Sequence, residues 1–387
     1  MFEVYCREFK LVMHDVGIIL FFMFLPLAYP IIYSLIYNPE LVKNVDMVVV
    51  DQDRTPLSRE LVRKMDACDQ AHVIGYATDL NEARHAVNSH KAYAILEIPE
   101  GFERNNGRGE VSNAVMYCEM SLLLRYRGFL VAATNVMEDF SSELMTARID
   151  EIAPLAETIV TGDLLPVHNV SMGNIRNGFD SFIMPGVLIL ILHQCIVLAV
   201  GMAGGAQRES MRLTGYCSDN LAPSILPTMI AQTLCYLTIL IIPIIFMLHY
   251  VPLIFRFPMA GDTVEIFAFI LPMVIGAFGV GFAFQSVVTE RESVFVLWVA
   301  TSLILLFLSG LIWPLYDMWP AWRWLASICP STWGVEGFVK MNANGASLSQ
   351  VSGPYINMWI LAVVWWILGY CSRRWVVRPA LIKLKNQ

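Results

Sequence analysis

Val294–Trp333 reads VFVLWVATSLILLFLSGLIWPLYDMWPAWRWLASICPSTW, and no other stretch constrains the architecture as tightly. It opens as an apolar helix without a charge. Ser309-Gly310 predicts a break, and Pro314 a second one. Beyond them the chain becomes a Trp- and Pro-rich hairpin with Asp317 and Arg323 as its charges. All ten tryptophans lie at or beyond Trp298, and five fall between Trp313 and Trp333. Tryptophan collects where an apolar body and a polar N–H are both satisfied, which is the membrane–water boundary. The stretch therefore reads as a membrane span followed by a hairpin lying at, or dipping back into, the outer face of the bilayer.

The rest of the composition agrees. Of 387 residues, 56% are hydrophobic and 15% charged, against about 45–50% and about 25% in soluble domains. The excess sits in long runs, so the chain is an integral membrane protein. From Asn38 to Asp180 acids outnumber bases 22 to 13, while in the remainder bases outnumber acids 13 to 11. A mildly acidic insert in a slightly basic membrane body argues against a nucleic-acid partner. The eight cysteines are scattered without CxxC spacing, so neither a metal site nor a disulfide framework is expected. Cys68 and Cys118 both fall in the insert and could pair if it faces an oxidising compartment.

Val16–Tyr37 is too long for a signal peptide and lacks a small-x-small cleavage site, so it reads as a retained anchor. At 1.5 Å per residue it spans roughly 33 Å, enough for a hydrocarbon core of about 30 Å. Further runs at Phe182–Gly204, Ile225–Tyr250, Val264–Val288, Val294–Trp313 and Tyr355–Cys371 bring the expected spans to six. Arg208, Arg212, Arg291 and the basic end (Arg373, Arg374, Arg378, Lys383, Lys385) lie on one side. The positive-inside bias makes that side, and both termini, cytoplasmic. The divisions expected are 1–15, a helix in the cytoplasmic interface; 16–37, the first span; 38–180, an extracytoplasmic domain; 181–372, the five-helix body with the hairpin at 310–337; and 373–387, a basic cytoplasmic tail.

In the interface helix Phe2, Tyr5, Cys6, Phe9, Val12 and Met13 recur on one face, with Glu3, Arg7 and Lys10 off it. The insert alternates strands (Asp46–Asp51, His72–Ala77, Ala92–Ile98, Val111–Cys118) with helices capped at Thr55-Pro56 and Asp79-x-x-Glu82. A turn is expected at Asn105–Gly109 and a long helix from Leu122 to about Ile149. Ala153–Asp180 is weakly patterned. This order implies an α/β domain with a mainly parallel sheet. The fold class is a mainly α membrane protein of six spans carrying an inserted α/β domain.

Asp51-Gln52-Asp53 ends the first strand. Paired acids there could hold a metal or do acid–base work, but no histidine or third acid sits at ligand spacing, so a turn that caps the next helix is the preferred reading. Neither GxxxxGK[ST], GxSxG nor HExxH occurs, and nothing argues for catalysis. Polar residues within the spans are few: His193-Gln194, Gln232 and Gln285. They read either as helix–helix hydrogen bonding or as the lining of a translocation path. Gly201-x-x-x-Gly205 and Ala277-x-x-x-Gly281 would allow close helix approach. In Gly205–Pro223, Arg208, Glu209 and Arg212 read as a short helix just inside the membrane, either an anchor or a docking site.

Four pieces together resemble one family: Val48–Leu61 (VVVDQDRTPLSREL), Ala92–Glu110 (AYAILEIPEGFERNNGRGE), Gln207–Ser210 (QRES) and Leu308–Phe338 (LSGLIWPLYDMWPAWRWLASICPSTWGVEGF). In that order they are similar to permease subunits of type-2 ATP-binding-cassette (ABC) transporters, in the branch with a large extracytoplasmic domain. The resemblance implies a second permease subunit, the same or similar, and a cytoplasmic ATPase subunit that holds the ATP and magnesium, with no cofactor on this chain. It implies a coupling helix at Arg208, Glu209 and Arg212, and an interface helix at Phe2–Met13. It also implies a re-entrant hairpin and outer gate built on Ser309, Gly310, Pro314, Trp319, Pro320, Trp322, Trp324 and Pro330. The function expected is export of a small amphiphilic or drug-like substrate by alternating access. A lipid or polysaccharide exporter is the alternative, and a membrane-anchored receptor a third reading. A periplasmic adaptor leading to an outer-membrane channel is a further partner for the insert.

Overall fold

The computed structural model describes residues 1–37, 42–152, 178–214 and 224–385. Two compact units emerge: Met1–Asn38 with Ser171–Gln387, and Pro39–Val170. The first unit opens with α1 (Phe2–His14) and α2 (Val16–Tyr37). The second unit then runs β1 (Val45–Asp51), α3 (Pro56–Asp66), β2 (Ala71–Tyr76), α4 (Leu80–Asn88), β3 (Ala94–Ile98), α5 (Phe102–Gly107), β4 (Val115–Cys118) and α6 (Leu123–Ile152). The first unit resumes with α7 (Phe179–Thr214), α8 (Ile225–Phe255), α9 (Thr263–Phe284), α10 (Ser293–Leu308), α11 (Pro320–Ser327) and α12 (Pro330–Asn344). It closes with α13 (Ser352–Ser372), a π-helical turn (Arg373–Val377) and α14 (Arg378–Lys385). The expectations for residues 153–177, 215–223 and 386–387 lie outside the described residues.

Among the described residues five helices are long and apolar enough to cross a membrane, where six spans were expected. The remaining apolar helix, α10, has 16 residues, roughly 24 Å at 1.5 Å each. It stops where the sequence breaks. The Ser309 hydroxyl is buried and donates to the Leu306 carbonyl at 2.6 Å, and Gly310 has φ +84°, a left-handed conformation that an L side chain resists.

One expectation is corrected. Arg208, Glu209 and Arg212 do not lie on a short separate helix, because α7 runs unbroken from Phe179 to Thr214, 36 residues. No proline follows Pro185 in it. Its glycine-rich stretch, the natural weak point, is held: Val294 packs on Gly201, Gln285 on Gly204 and the Arg291 backbone on Gly205. The basic end, expected as a cytoplasmic tail at 373–387, is helical as far as Lys385. The helix continues from α13 through the π-helical turn into α14, and Arg373 is buried.

In the insert the sheet order is β2-β1-β3-β4, with β1 parallel to β2 and β3 and only β4 antiparallel. β1 takes an interior position, between β2 and β3, because VDMVVVD buries both faces. Val45, Met47 and Val49 pack with Leu61, Met65 and Phe129, while Val48 and Val50 pack with Ala83 and Ala92. Cys68 and Cys118 are free thiols in the larger of these two clusters, and burial pushes both above the usual thiol range.

The expected turn at Asn105–Gly109 is replaced in its first half by α5, and the chain reverses at Gly109 with φ +79°. Asp53 is the cause. Its carboxylate accepts the Gly101 N–H at 2.7 Å and the Glu103 N–H at 3.0 Å, so the unpaired donors of the first turn of α5 are satisfied from the neighbouring loop. Asp51 accepts from the Arg54 N–H at 2.8 Å and the Ser58 hydroxyl at 2.7 Å, and Thr55 closes a capping box with Ser58. The two acids are thus spent on capping. Burial alone would raise the Asp53 carboxyl, but the N–H groups of Glu103, Gly101 and Phe102 and the Thr55 hydroxyl outweigh it and hold it below its ordinary value.

A carboxyl lowered in the fold stabilises above its ordinary value of about 4 and loses that contribution as pH falls through the lower, folded value. Asp53→Asn should therefore speed amide exchange at Gly101–Glu103 at neutral pH, by about 1 kcal/mol of local opening. Hydrogen–deuterium exchange should find the difference from the parent shrinking below about pH 4.

Candidate functional site

The polar residues of the spans sort into two places along α7. Towards the C-terminal end of α7 lies a closed network. Glu8 of α1 is fully buried, and its carboxylate accepts from Gln207 Nε2 at 3.0 Å, Gln232 Nε2 at 2.9 Å and the Tyr236 hydroxyl at 3.2 Å. One acid therefore joins α1, α7 and α8. Beside it, Gln285 donates to the Val200 carbonyl at 2.8 Å, accepts from Arg373 Nε at 3.2 Å, and offers its own carbonyl to Arg208 Nη2 at 2.8 Å. Arg291 pairs with both Asp15 and Glu209, each at 2.6 Å, and Asp15 also caps the start of α2. Of the three residues expected to couple, Arg208 is thus turned inward, Glu209 is half-buried in an ion pair, and Arg212 is exposed.

The buried face of α1 overlaps the one expected, with Val12 in the core and Tyr5 and Phe9 packed against it, but it is centred differently. Val4, Glu8 and Val12 are buried at i, i+4 and i+8, while Phe2 and Met13 are largely exposed. The acid takes the inner face because its partners are there to receive it. An unpaired carboxylate would have been expelled.

Farther up α7 the pattern reverses. His193 is 3% exposed, and among the described residues neither of its ring nitrogens has a hydrogen-bond partner. Gln194 is 8% exposed with its Nε2 likewise unpartnered. Both line a cavity of about 230 Å³ whose other walls include Phe284, Thr301, Leu308, Ile328, Pro330 and Trp365. Its roof is the turn between α11 and α12. That turn is fixed by Pro330 at the first position of α12, by Trp333 Nε1 donating to the Ser327 carbonyl at 3.0 Å and by Trp365 Nε1 donating to the Ile328 carbonyl at 3.0 Å. Gln194 also lines a second cavity of about 380 Å³, walled by Tyr29, Tyr33, Tyr37, Phe179 and Trp298. There Tyr29 and Tyr33 lie 4.6 Å apart, and Tyr33 and Tyr37 6.3 Å apart.

Of the residues singled out in the sequence, then, His193, Gln194 and Pro330 come together. Gln232 and Gln285 belong instead to the network near the C-terminal end of α7. Pro314 precedes the 3-10 turn Leu315–Asp317, and Pro320 starts α11. Trp319, Trp322 and Trp324 stand outward, 72%, 54% and 70% exposed. Among the described residues no cluster of histidine, cysteine and acidic side chains fits a metal ion.

Compared with protein-family models, residues 16–371 match the ABC-2 family transporter proteins. The chain belongs to the ABC-2 transporter family. No curated protein matches it. As an ABC-2 transporter it is a membrane-embedded, multi-pass transport component, and the family implies an ABC ATPase as its partner. The pieces that carry the resemblance in the sequence (Val48–Leu61, Ala92–Glu110, Gln207–Ser210 and Leu308–Phe338) all fall inside the matched region.

Two features of this transporter escaped the sequence reading. Glu8 drew no reading in the amphipathic helix, and only Gln207, Gln232 and Tyr236 from distant spans reveal it. Arg291 looked like one more positive-inside residue. Glu8→Ala would leave the donors of Gln207, Gln232 and Tyr236 buried without an acceptor and should lower stability by about 3 kcal/mol. Tyr236→Phe, which leaves the carboxylate two donors, should cost about 1 kcal/mol. Denaturation of the purified protein in lipid nanodiscs measures both.

Proposed function

We propose that this chain is the permease of an ATP-driven exporter in a bacterial inner membrane, working as one of two such subunits with a cytoplasmic ABC ATPase. The observation that carries the reading is the cavity beneath the α11–α12 turn. It is lined by spans, apolar except for His193, Gln194, Thr301 and the Cys329 thiol, and roofed by the hairpin. Together with its aromatic neighbour it has the dimensions and lining of a site for a small amphiphile. A polysaccharide chain would call for a continuous polar groove, so the small-substrate reading is preferred.

In this scheme both termini are cytoplasmic and the ATPase docks at Arg212, exposed on the C-terminal turns of α7, and at Glu209 beside it, half-buried in its pair with Arg291. Arg208, held on the Gln285 carbonyl, keeps those turns in register. ATP binding favours one of two arrangements of the permease pair and hydrolysis restores the other. The substrate is expelled because its affinity differs between them. Ser309, Gly310 and Pro314 let the hairpin pivot, and the outward tryptophans hold it at the outer boundary. The insert on that side binds substrate or an adaptor that leads to an outer-membrane channel. ATP and magnesium stay with the ATPase.

Two measurements bear on this. Affinity-purified protein should bring down an ABC ATPase whose hydrolysis responds to amphiphiles; repeated purification without one would sink the reading. Trp319→Ala with Trp322→Ala should lower transport several-fold while leaving ATPase assembly intact. Equal loss of both would assign the pair to folding.

A further inference from the structure

The unpartnered polar atoms of His193 and Gln194 restrict what the cavity accepts, and we propose that it takes an uncharged aromatic amphiphile carrying a hydroxyl or amide group, read by the His193 imidazole. This rests on the export reading and adds the substrate class to it. A neutral imidazole presents one donor and one acceptor. Both ring nitrogens are buried and face no protein partner among the described residues, as does Gln194 Nε2. Thr301 already donates its hydroxyl proton to the Leu297 carbonyl at 2.8 Å, so towards the cavity it can only accept. The polar set therefore matches a group that donates and accepts at once.

Charge is disfavoured by what surrounds that set. No residue lining the cavity carries a charge, so an ion would be desolvated without a counter-charge. Water alone is a poor filling. The space is about 230 Å³, several times the roughly 30 Å³ of one water, and each water needs two to four polar partners. The remaining walls, Val197, Ile304, Leu325 and Trp365 among them, suit a flat apolar body. Gln194 carries the same lining over to the tyrosine-walled cavity beside it.

The class of ligand is testable on the permease–ATPase complex in nanodiscs without nucleotide. The probes are naphthol, methylnaphthalene of nearly the same shape, and a naphthyl-trimethylammonium cation. Saturable binding is measured above empty-nanodisc background. Naphthol should bind about 10-fold or more tightly than methylnaphthalene, the consequence of pairing otherwise orphaned groups, and the cation weakest. His193→Leu should bring the naphthol preference close to one while methylnaphthalene still binds, which shows the site intact. His193→Asn, which keeps a donor and an acceptor, should retain part of the preference. Equal binding of naphthol and methylnaphthalene to the parent protein, a preference that survives His193→Leu, or tightest binding by the cation each overturns the proposal, and the first and third need no variant to fold. Efflux from proteoliposomes is scored separately. Selective binding without ATP-driven efflux overturns the export reading and supports the ligand class, whereas efflux without selectivity overturns the class alone.

Discussion

The membrane unit hangs on how closely α9 approaches α7 and α13. A Cβ on Gly279 would lie 2.8 Å from the Trp365 backbone, one on Gly281 2.8 Å from Val200, and one on Gly369 2.9 Å from Phe282. Lipid tails are as apolar as the side chains they touch. Helices in a bilayer therefore gain little from burying apolar surface and associate by van der Waals fit and interhelical hydrogen bonds. Glycine at these points supplies the fit. Trp366 Nε1 on the Ile275 carbonyl at 2.9 Å and Ser372 Oγ on the Ala283 carbonyl at 3.1 Å supply the bonds. With α9 fixed, α12 seats on it through Gly337 against Phe269, and Val280 and Phe284 become walls of the His193 cavity.

The spans illustrate two ways of handling a polar side chain in an apolar setting. Near the C-terminal end of α7, Gln207, Gln232 and Gln285 have acceptors or donors from other helices, so they stiffen the unit. At His193 and Gln194 the protein offers walls and no partner. The two settings differ only through the neighbours. Gln285 bonds Val200 and Arg373, whereas His193 shares its cavity with Val197, Ile304 and Pro330.

Local sequence signals carried much of the fold. The insert's strands were readable because β1 is apolar on both faces, and its helix starts because Thr55-Pro56 and Asp79 carry their own caps. The break at Ser309-Gly310 was readable for the same reason, since a helix that ends at glycine does so by local geometry. What was not readable depends on long-range partners. Glu8 finds its partners 199 to 228 positions away, and nothing in residues 2–14 distinguishes it from Glu3. The short helix α5, found where a turn was expected at Asn105–Gly109, was missed because its first turn is capped by Asp53, 48 positions earlier. The extent of α7 was missed because a change from apolar to charged residues was taken for a boundary, although composition can change along a helix without ending it. Among the polar candidates, composition identified the residues with something to do. Only the packing separated those that bind each other from those that line a cavity.

The length of α7 has a mechanical meaning. Fifteen residues separate His193 from Arg208, roughly 22 Å along one uninterrupted helix. Neither a proline nor a π-helical turn interrupts it there, and the glycines between them are packed against Val294, Gln285 and the Arg291 backbone. A tilt of about 10° about the Arg208 end carries the imidazole by about 4 Å, a distance set by the 1.5 Å rise alone. That is more than the length of a hydrogen bond, so one small pivot at the base suffices to break or make contacts at the other end. An unbroken helix has the geometry of a lever, with stroke proportional to angle.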